Sequence, residues 1–187
     1  IPVATLWDET AVMSGTPTLP FTVAKVRRFN RLGALVDAAA VPGAVAALVG
    51  AISRSEERAL TVGEGTIHFV PGSQLAGTEM PPVDAIRRMG VEQSNTSIVL
   101  GDTMVLKLIR RLAEGVHPEI EIGRYLTDVA GFANIPPLLG SIEHVGPDGG
   151  RTALAVLQGY QRNQGDGWTF TLNYLERELE EVALEPA

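Results

Sequence analysis

Apolar and polar residues alternate through Pro20-Phe-Thr-Val-Ala-Lys-Val-Arg27, the period of a half-buried strand. Ile1 to Trp7 is strand-like from its first residue, and the Thr-, Gly- and Pro-rich stretch Asp8 to Pro20 reads as a hairpin loop joining the two runs. Leu32 to Ser53 is rich in alanine and reads as helix, bent or split at Pro42-Gly43. Two further strands are expected around Leu60–Val62 and Thr66–Val70, joined at Gly63-Glu-Gly65. Pro71 to Pro82 has the composition of a loop and marks the expected boundary between two parts of the chain.

Beyond that loop the pattern changes. Val91-Glu-Gln93 leads into the polar turn Ser94-Asn-Thr-Ser97, followed by Ile98-Val-Leu100, a Gly101-Asp102 hairpin turn and the strand Thr103 to Ile109. His117-Pro118 opens a helix with proline in its first turn, and Ile120, Tyr125, Leu126 and Val129 are spaced to share a buried stripe. Strands from Pro136 to His144 and from Thr152 to Tyr160 flank the turn Gly146-Pro-Asp-Gly-Gly150, and Trp168 to Glu181 forms an amphipathic helix with an acidic side. The expected fold is α+β. Residues 85–160 carry the order of a protein-kinase-like amino-terminal lobe, residues 1–84 form a small cap or intermediate subdomain, and residues 161–187 form a connector and helix.

Composition narrows the function. The 187 residues carry a net charge of −7, which argues against a nucleic-acid partner, since phosphate neutralisation needs an excess of lysine and arginine. The local pairs Arg27-Arg28, Arg87-Arg88 and Arg110-Arg111 read as solvated edges. The absence of cysteine excludes disulfides, thiolate catalysis and cysteine-bound metal, and the three histidines show no metal-ligand spacing. The apolar run near Val41 to Ile52 is too short and interrupted to span a bilayer. No secretion signal opens the chain, so a cytoplasmic location is expected, with the parent polypeptide beginning upstream.

Phosphoryl transfer from ATP asks such a lobe for a turn that covers the phosphates, a strand lysine that neutralises them, and a helix carboxylate that holds the lysine. Ser94, Asn95, Thr96 and Ser97 supply donors for the turn, and Lys107 stands in an otherwise apolar strand. Glu119 and Glu121 both lie at the start of the next helix. Glu121 is the favoured partner, because a glutamate at the second helical position also serves to complement the helix dipole. Each part has a plainer role when taken singly: an edge lysine, an ordinary turn, a dipole partner. Order and spacing together carry the case, and the turn departs from a glycine-rich phosphate loop.

Val91-Glu-Gln-Ser-Asn-Thr-Ser-Ile-Val-Leu-Gly-Asp102, Val105 to Leu112, His117 to Leu126, Ile135-Pro-Pro-Leu-Leu-Gly140 and Leu154 to Tyr160 with Asn163 to Trp168 resemble bacterial maltokinases. The resemblance covers roughly residues 85 to 181, and looser likeness to the preceding cap region rests on Ala24 to Arg28 and Gly33 to Ala38. It implies an enzyme that phosphorylates maltose with ATP and Mg²⁺ for α-glucan synthesis, often fused behind a trehalose synthase domain. It implies further that Ser94 to Ser97 line the phosphate site, that Lys107 grips the phosphates with Glu121 orienting it, and that Gln158, Gly159 and Tyr160 form the hinge whose backbone meets adenine. The catalytic base, the metal ligands and the maltose pocket belong by this resemblance to a carboxyl-terminal lobe beyond Ala187, so the chain alone is expected to lack turnover. Two alternatives stand beside this reading: a related kinase of the aminoglycoside- and choline-kinase type, and a non-catalytic module that packs against a fused partner.

Overall fold

The computed structural model describes residues 2–8, 13, 15–59, 64–89, 95–163, 165 and 167–184, with side chains through residue 180. Strand β1 (Val3–Leu6) is followed by β2 (Thr22–Arg28), β3 (Arg31–Asp37) and helix α1 (Pro42–Ser53). Next come β4 (Glu57–Ala59), β5 (Thr66–Pro71), β6 (Ile86–Arg88), β7 (Asn95–Leu100) and β8 (Met104–Ile109). Helix α2 (Pro118–Arg124) runs into a π-helical turn at Tyr125–Val129, and β9 (Leu138–Val145), β10 (Arg151–Gly159) and α3 (Gly167–Leu184) complete the order.

The described strands form two antiparallel sheets. The smaller has the order β1-β3-β2, so β1 pairs with β3 and not with β2 as a simple hairpin would require. The larger has the order β4-β5-β9-β10-β8-β7-β6. It runs without interruption across residue 84, because β5 pairs with β9 from Thr66↔Val145 to Pro71↔Gly140. The small sheet therefore ends at Asp37, and every described strand from β4 onward belongs to the larger one.

The stretch read as one helix from Leu32 is strand to Asp37, a 3-10 turn at Ala38–Ala40, and helix only from Pro42. Small residues misled the reading: Ala34 and Val36 lie buried against Ala4, Leu6 and Val41, a use of alanine that only pairing with β1 reveals. The strand expected around Leu60–Val62 lies outside the described residues; the observed partner of β5 is β4, in the register Glu57↔His68 to Ala59↔Thr66.

Helix α1 explains how the larger sheet is held. Val45, Val49 and Ile52, spaced along one helical face, pack on Ile98, Leu100, Met104, Leu106, Leu108, Ala155 and Leu157. Strand β9 passes beneath it at Gly140, where an added Cβ would lie 2.6 Å from Ile52 Cγ2 and 2.7 Å from the carbonyl oxygen of Val70. The opposite face of the sheet is covered by α2, through a second cluster of Ile120, Leu138, Ala153 and Val156. No helix among the described residues is long and apolar enough to cross a membrane.

Candidate nucleotide-binding face

Strand β8 sorts its side chains strictly by parity. Met104, Leu106 and Leu108 are buried toward α1, whereas Val105, Lys107 and Ile109 are half-buried on the face that α2 shares. Lys107 is not an edge residue: β8 lies between β10 and β7, with Val156 and Ser97 directly opposite the lysine on either side. A cation in the middle of a sheet needs a reason, and the following helix supplies one.

Helix α2 begins with His117 in extended conformation before Pro118 at the first helical position. It is seated on β9 by Ile120 and Gly123, and the Leu138 N–H donates to the hydroxyl of Thr127 at 2.9 Å. This placement brings Glu119 Oε2 to 2.9 Å from Lys107 Nζ. The two side chains keep 31% and 38% of their surface exposed, so the pair is wet on one side and open to a ligand.

Glu121 does not make this contact. Two residues along a helix rotate a side chain by about 200°, which carries Glu121 into the wall of a different cleft. That cleft, about 400 Å³, lies behind α2 between Val116, His117, Arg124, Tyr125, Glu143 and Arg151, and does not include Lys107. The expected stripe along this helix is also only partly realised. Ile120 is buried and Leu126 half-buried, but Tyr125 and Val129 are 58% and 71% exposed. Ile120, Gly123 and Thr127 form the inward line instead, with the π-helical turn following Arg124.

The expected phosphate turn is also displaced. Asn95, Thr96 and Ser97 are strand, paired with Ile109, Leu108 and Lys107, while Ser94 lies outside the described residues. Their turn-like composition yields to ladder pairing with a full-length neighbour. Ser97 shares the face of Lys107. Thr96 faces the other way, is buried, and accepts from Arg110 Nε at 2.9 Å. Arg110 in turn donates to Asp37 Oδ2 at 2.6 Å, so it is no solvated edge residue but a tie between the two sheets. Asp37 also caps the 3-10 turn by accepting from the Ala39 N–H.

At the far end of β10 the three hinge candidates behave differently from one another. The Gly159 N–H donates to Pro137 O at 2.9 Å and the Tyr160 N–H to Thr103 O at 2.8 Å, so neither donor is left for a ligand. Gly159 is the residue the approach requires, because a Cβ there would lie 2.9 Å from Pro137 Cγ and Cδ. Gln158 pairs with Val105 and thus faces the same side as Lys107.

Two cross-strand rows therefore share one face: Val99, Val105 and Gln158, and beside them Ser97, Lys107 and Val156. Sequence reasoning did not single out the valines, although their alternation with Ile98, Leu100, Leu106 and Leu108 carries the signal. It also missed Glu143, a buried carboxylate that accepts from the Ser141 hydroxyl at 2.5 Å and from Arg151 at 3.1 Å.

A 101-residue stretch is 29% identical to a glucosamine kinase of Mycolicibacterium smegmatis, covering 54% of this chain and 25% of that protein. The likeness is to a sugar kinase. It supports a kinase-like phosphotransferase class, and the chain spans about a quarter of the relative's length. No family model matches the chain. The α+β architecture agrees with that class: the five strands β6-β7-β8-β10-β9, with a helix inserted between β8 and β9, have the form of a kinase-like amino-terminal lobe with its strand lysine and helix glutamate paired.

Proposed function

We propose that this chain is the nucleotide-gripping part of an ATP-dependent sugar kinase, with maltose as the sugar and a fused or associated trehalose synthase as a partner. The single observation that carries the reading is the Lys107–Glu119 pair, held in the middle of a sheet on a face with an apolar row beside it. Residues 85–160 are the lobe that grips the nucleotide, residues 1–84 flank and brace it, and residues 161–187 lead to the part that holds the sugar.

The side chains present suit a nucleotide. A triphosphate laid across the sheet meets the Lys107 ammonium, a compact charge that neutralises phosphate oxygens. Glu119 keeps that ammonium from swinging into solvent, and half-buried Val105 offers an apolar surface beside it. ATP supplies the transferable phosphoryl group. Mg²⁺ is a different matter: among the described residues no group of three or more His, Asp or Glu could hold a metal, so no step is assigned to the ion here.

Helix α3 fits this reading. Trp168, Leu172, Leu175 and Leu179 share one helical face and are between 41% and 72% exposed, an apolar stripe suited to packing against a further lobe.

Titration of the purified chain with a fluorescent ATP analogue tests the proposal. Saturable binding, weakened at least tenfold by Lys107→Ala with the thermal melt unchanged, is the expected result. Binding that is absent, or indifferent to Lys107→Ala, would leave the lobe without its assigned role.

A further inference from the structure

Helix α2 carries Glu119 and is only seven residues long, too short to hold its shape without outside contacts. Its body offers the sheet one buried apolar side chain, Ile120, while Tyr125 and Val129 beyond it are exposed. The chain is anchored just before the helix, where the Gly115 N–H donates to Arg151 O at 2.8 Å. It is anchored again just after, at the π-helical turn, by two adjacent residues that reach in different directions. The buried hydroxyl of Thr127 accepts from the Leu138 N–H at 2.9 Å, at the first residue of β9. The carboxylate of Asp128 accepts from the Ser73 hydroxyl at 2.6 Å. Ser73 is itself fixed close to β9, because the Gly72 N–H before it donates to Leu139 O at 2.8 Å.

We propose that Thr127 and Asp128 are positioning residues for the nucleotide site, locking the helical phase of α2 so that Glu119 stays on Lys107. This inference rests on the nucleotide-binding reading above.

Ile120 stands near one end of the helix and cannot by itself stop α2 from rolling about its own axis. A glutamate head lies about 6 Å from that axis, so a roll of about 25° moves it by about 2–3 Å. Such a shift takes the carboxylate out of hydrogen-bond range of the ammonium, which stands 2.9 Å away. Thr127 lies on the same inward line as Ile120 and Gly123, and its bond to β9 fixes the phase at the far end. The bond from Ser73 to Asp128 holds the same turn from a second side.

The test is calorimetric titration of the full chain with MgATP, in the wild type and in the Glu119→Gln background. Thr127→Val keeps the shape of threonine and removes the acceptor. It is expected to weaken binding by about three- to tenfold, and to cost nothing further once Glu119→Gln is present, because residues that act through one contact are not additive. Thr127→Ser restores the hydroxyl and is expected to bind within about twofold of the wild type. Should Thr127→Val lose its cooperative melt, Ser73→Ala on the exposed loop takes its place, with an expected loss of about twofold that again vanishes beside Glu119→Gln.

A folded Thr127→Val that binds as the wild type does, or a loss that persists undiminished in the Glu119→Gln background, overturns the positioning role and leaves the nucleotide site in place. Failure of the wild type to bind MgATP overturns both readings.

Discussion

Lys107 Nζ lies 2.9 Å from Glu119 Oε2, across the seam between β8 and α2, while Glu121 turns into the cleft behind the helix. The difference between the two glutamates is a difference of helical phase, and it separates their expected effects. Glu119→Gln is expected to weaken nucleotide binding by about three- to tenfold, since the ammonium loses the partner that aims it. Its effect on stability is expected to stay below about 1 kcal/mol, because a pair this exposed contributes little to folding. Glu121→Gln is expected to change neither. Equal losses for both variants in the titration would mean that the pair observed here does not aim the lysine.

Arg110 joins the two sheets by reaching Asp37 on one side and Thr96 on the other, with about a fifth of each charged side chain exposed. Removing the cation leaves a mostly buried carboxylate without its counter-charge, so Arg110→Ala is expected to cost about 2–3 kcal/mol. Urea denaturation of the two proteins measures this. A loss under about 0.5 kcal/mol would mean that the sheets are held together without the tie.

Gly140 leaves no room for a methyl group, which would press on Ile52 Cγ2 and on the backbone carbonyl of Val70. The carbonyl belongs to the β5–β9 ladder and cannot swing away, so Gly140→Ala is expected to destabilise the protein by about 1–3 kcal/mol. A thermal melt at or above that of the wild type would contradict this.

Hydrogen bonding by Arg54 holds the carboxyl of Glu56 below the usual carboxylate range, with Arg58 adding to the effect. A carboxyl with a depressed pKa in the folded state adds stability above its unfolded pKa and loses it as the pH falls through the folded value. The stability gap between wild type and Glu56→Gln is therefore expected to be level near neutrality and to narrow below about pH 4. Denaturation curves taken across that range give the comparison, and a gap that widens on acidification would reverse the assignment.

The sequence disclosed what local pattern controls and concealed what depends on distant pairing. The lysine strand, the β9–β10 hairpin with its Gly146–Gly150 turn, and the proline-led start of α2 were all legible, because alternation and turn chemistry act within a few residues. The strand nature of Arg31–Asp37 was hidden, since its glycine and alanines fit a helix equally well until β1 and β2 flank them. Asn95 to Ser97 have the composition of a turn and become strand only because β8 extends far enough to pair with them. Glu119 lost to Glu121 because the choice depends on where the first helical turn sits over β8, a tertiary fact. Arg110 looked like half of a surface pair, and nothing in its neighbourhood pointed to Asp37, which lies far upstream.

The pairing of β5 with β9 bears on how the chain reaches its native state. Phe69 must find Ile142, with β6, β7, β8 and α2 strung between them. Contacts that close long loops form slowly, because chain entropy is lost before the ladder returns any stabilisation. On a ribosome, β4 and β5 therefore emerge early with one flank of their ladder unmatched, and they wait for β9 to be synthesised. During that interval the early strands expose an unpaired edge, and this is the stage at which a chaperone or a misplaced partner can act on the nascent chain.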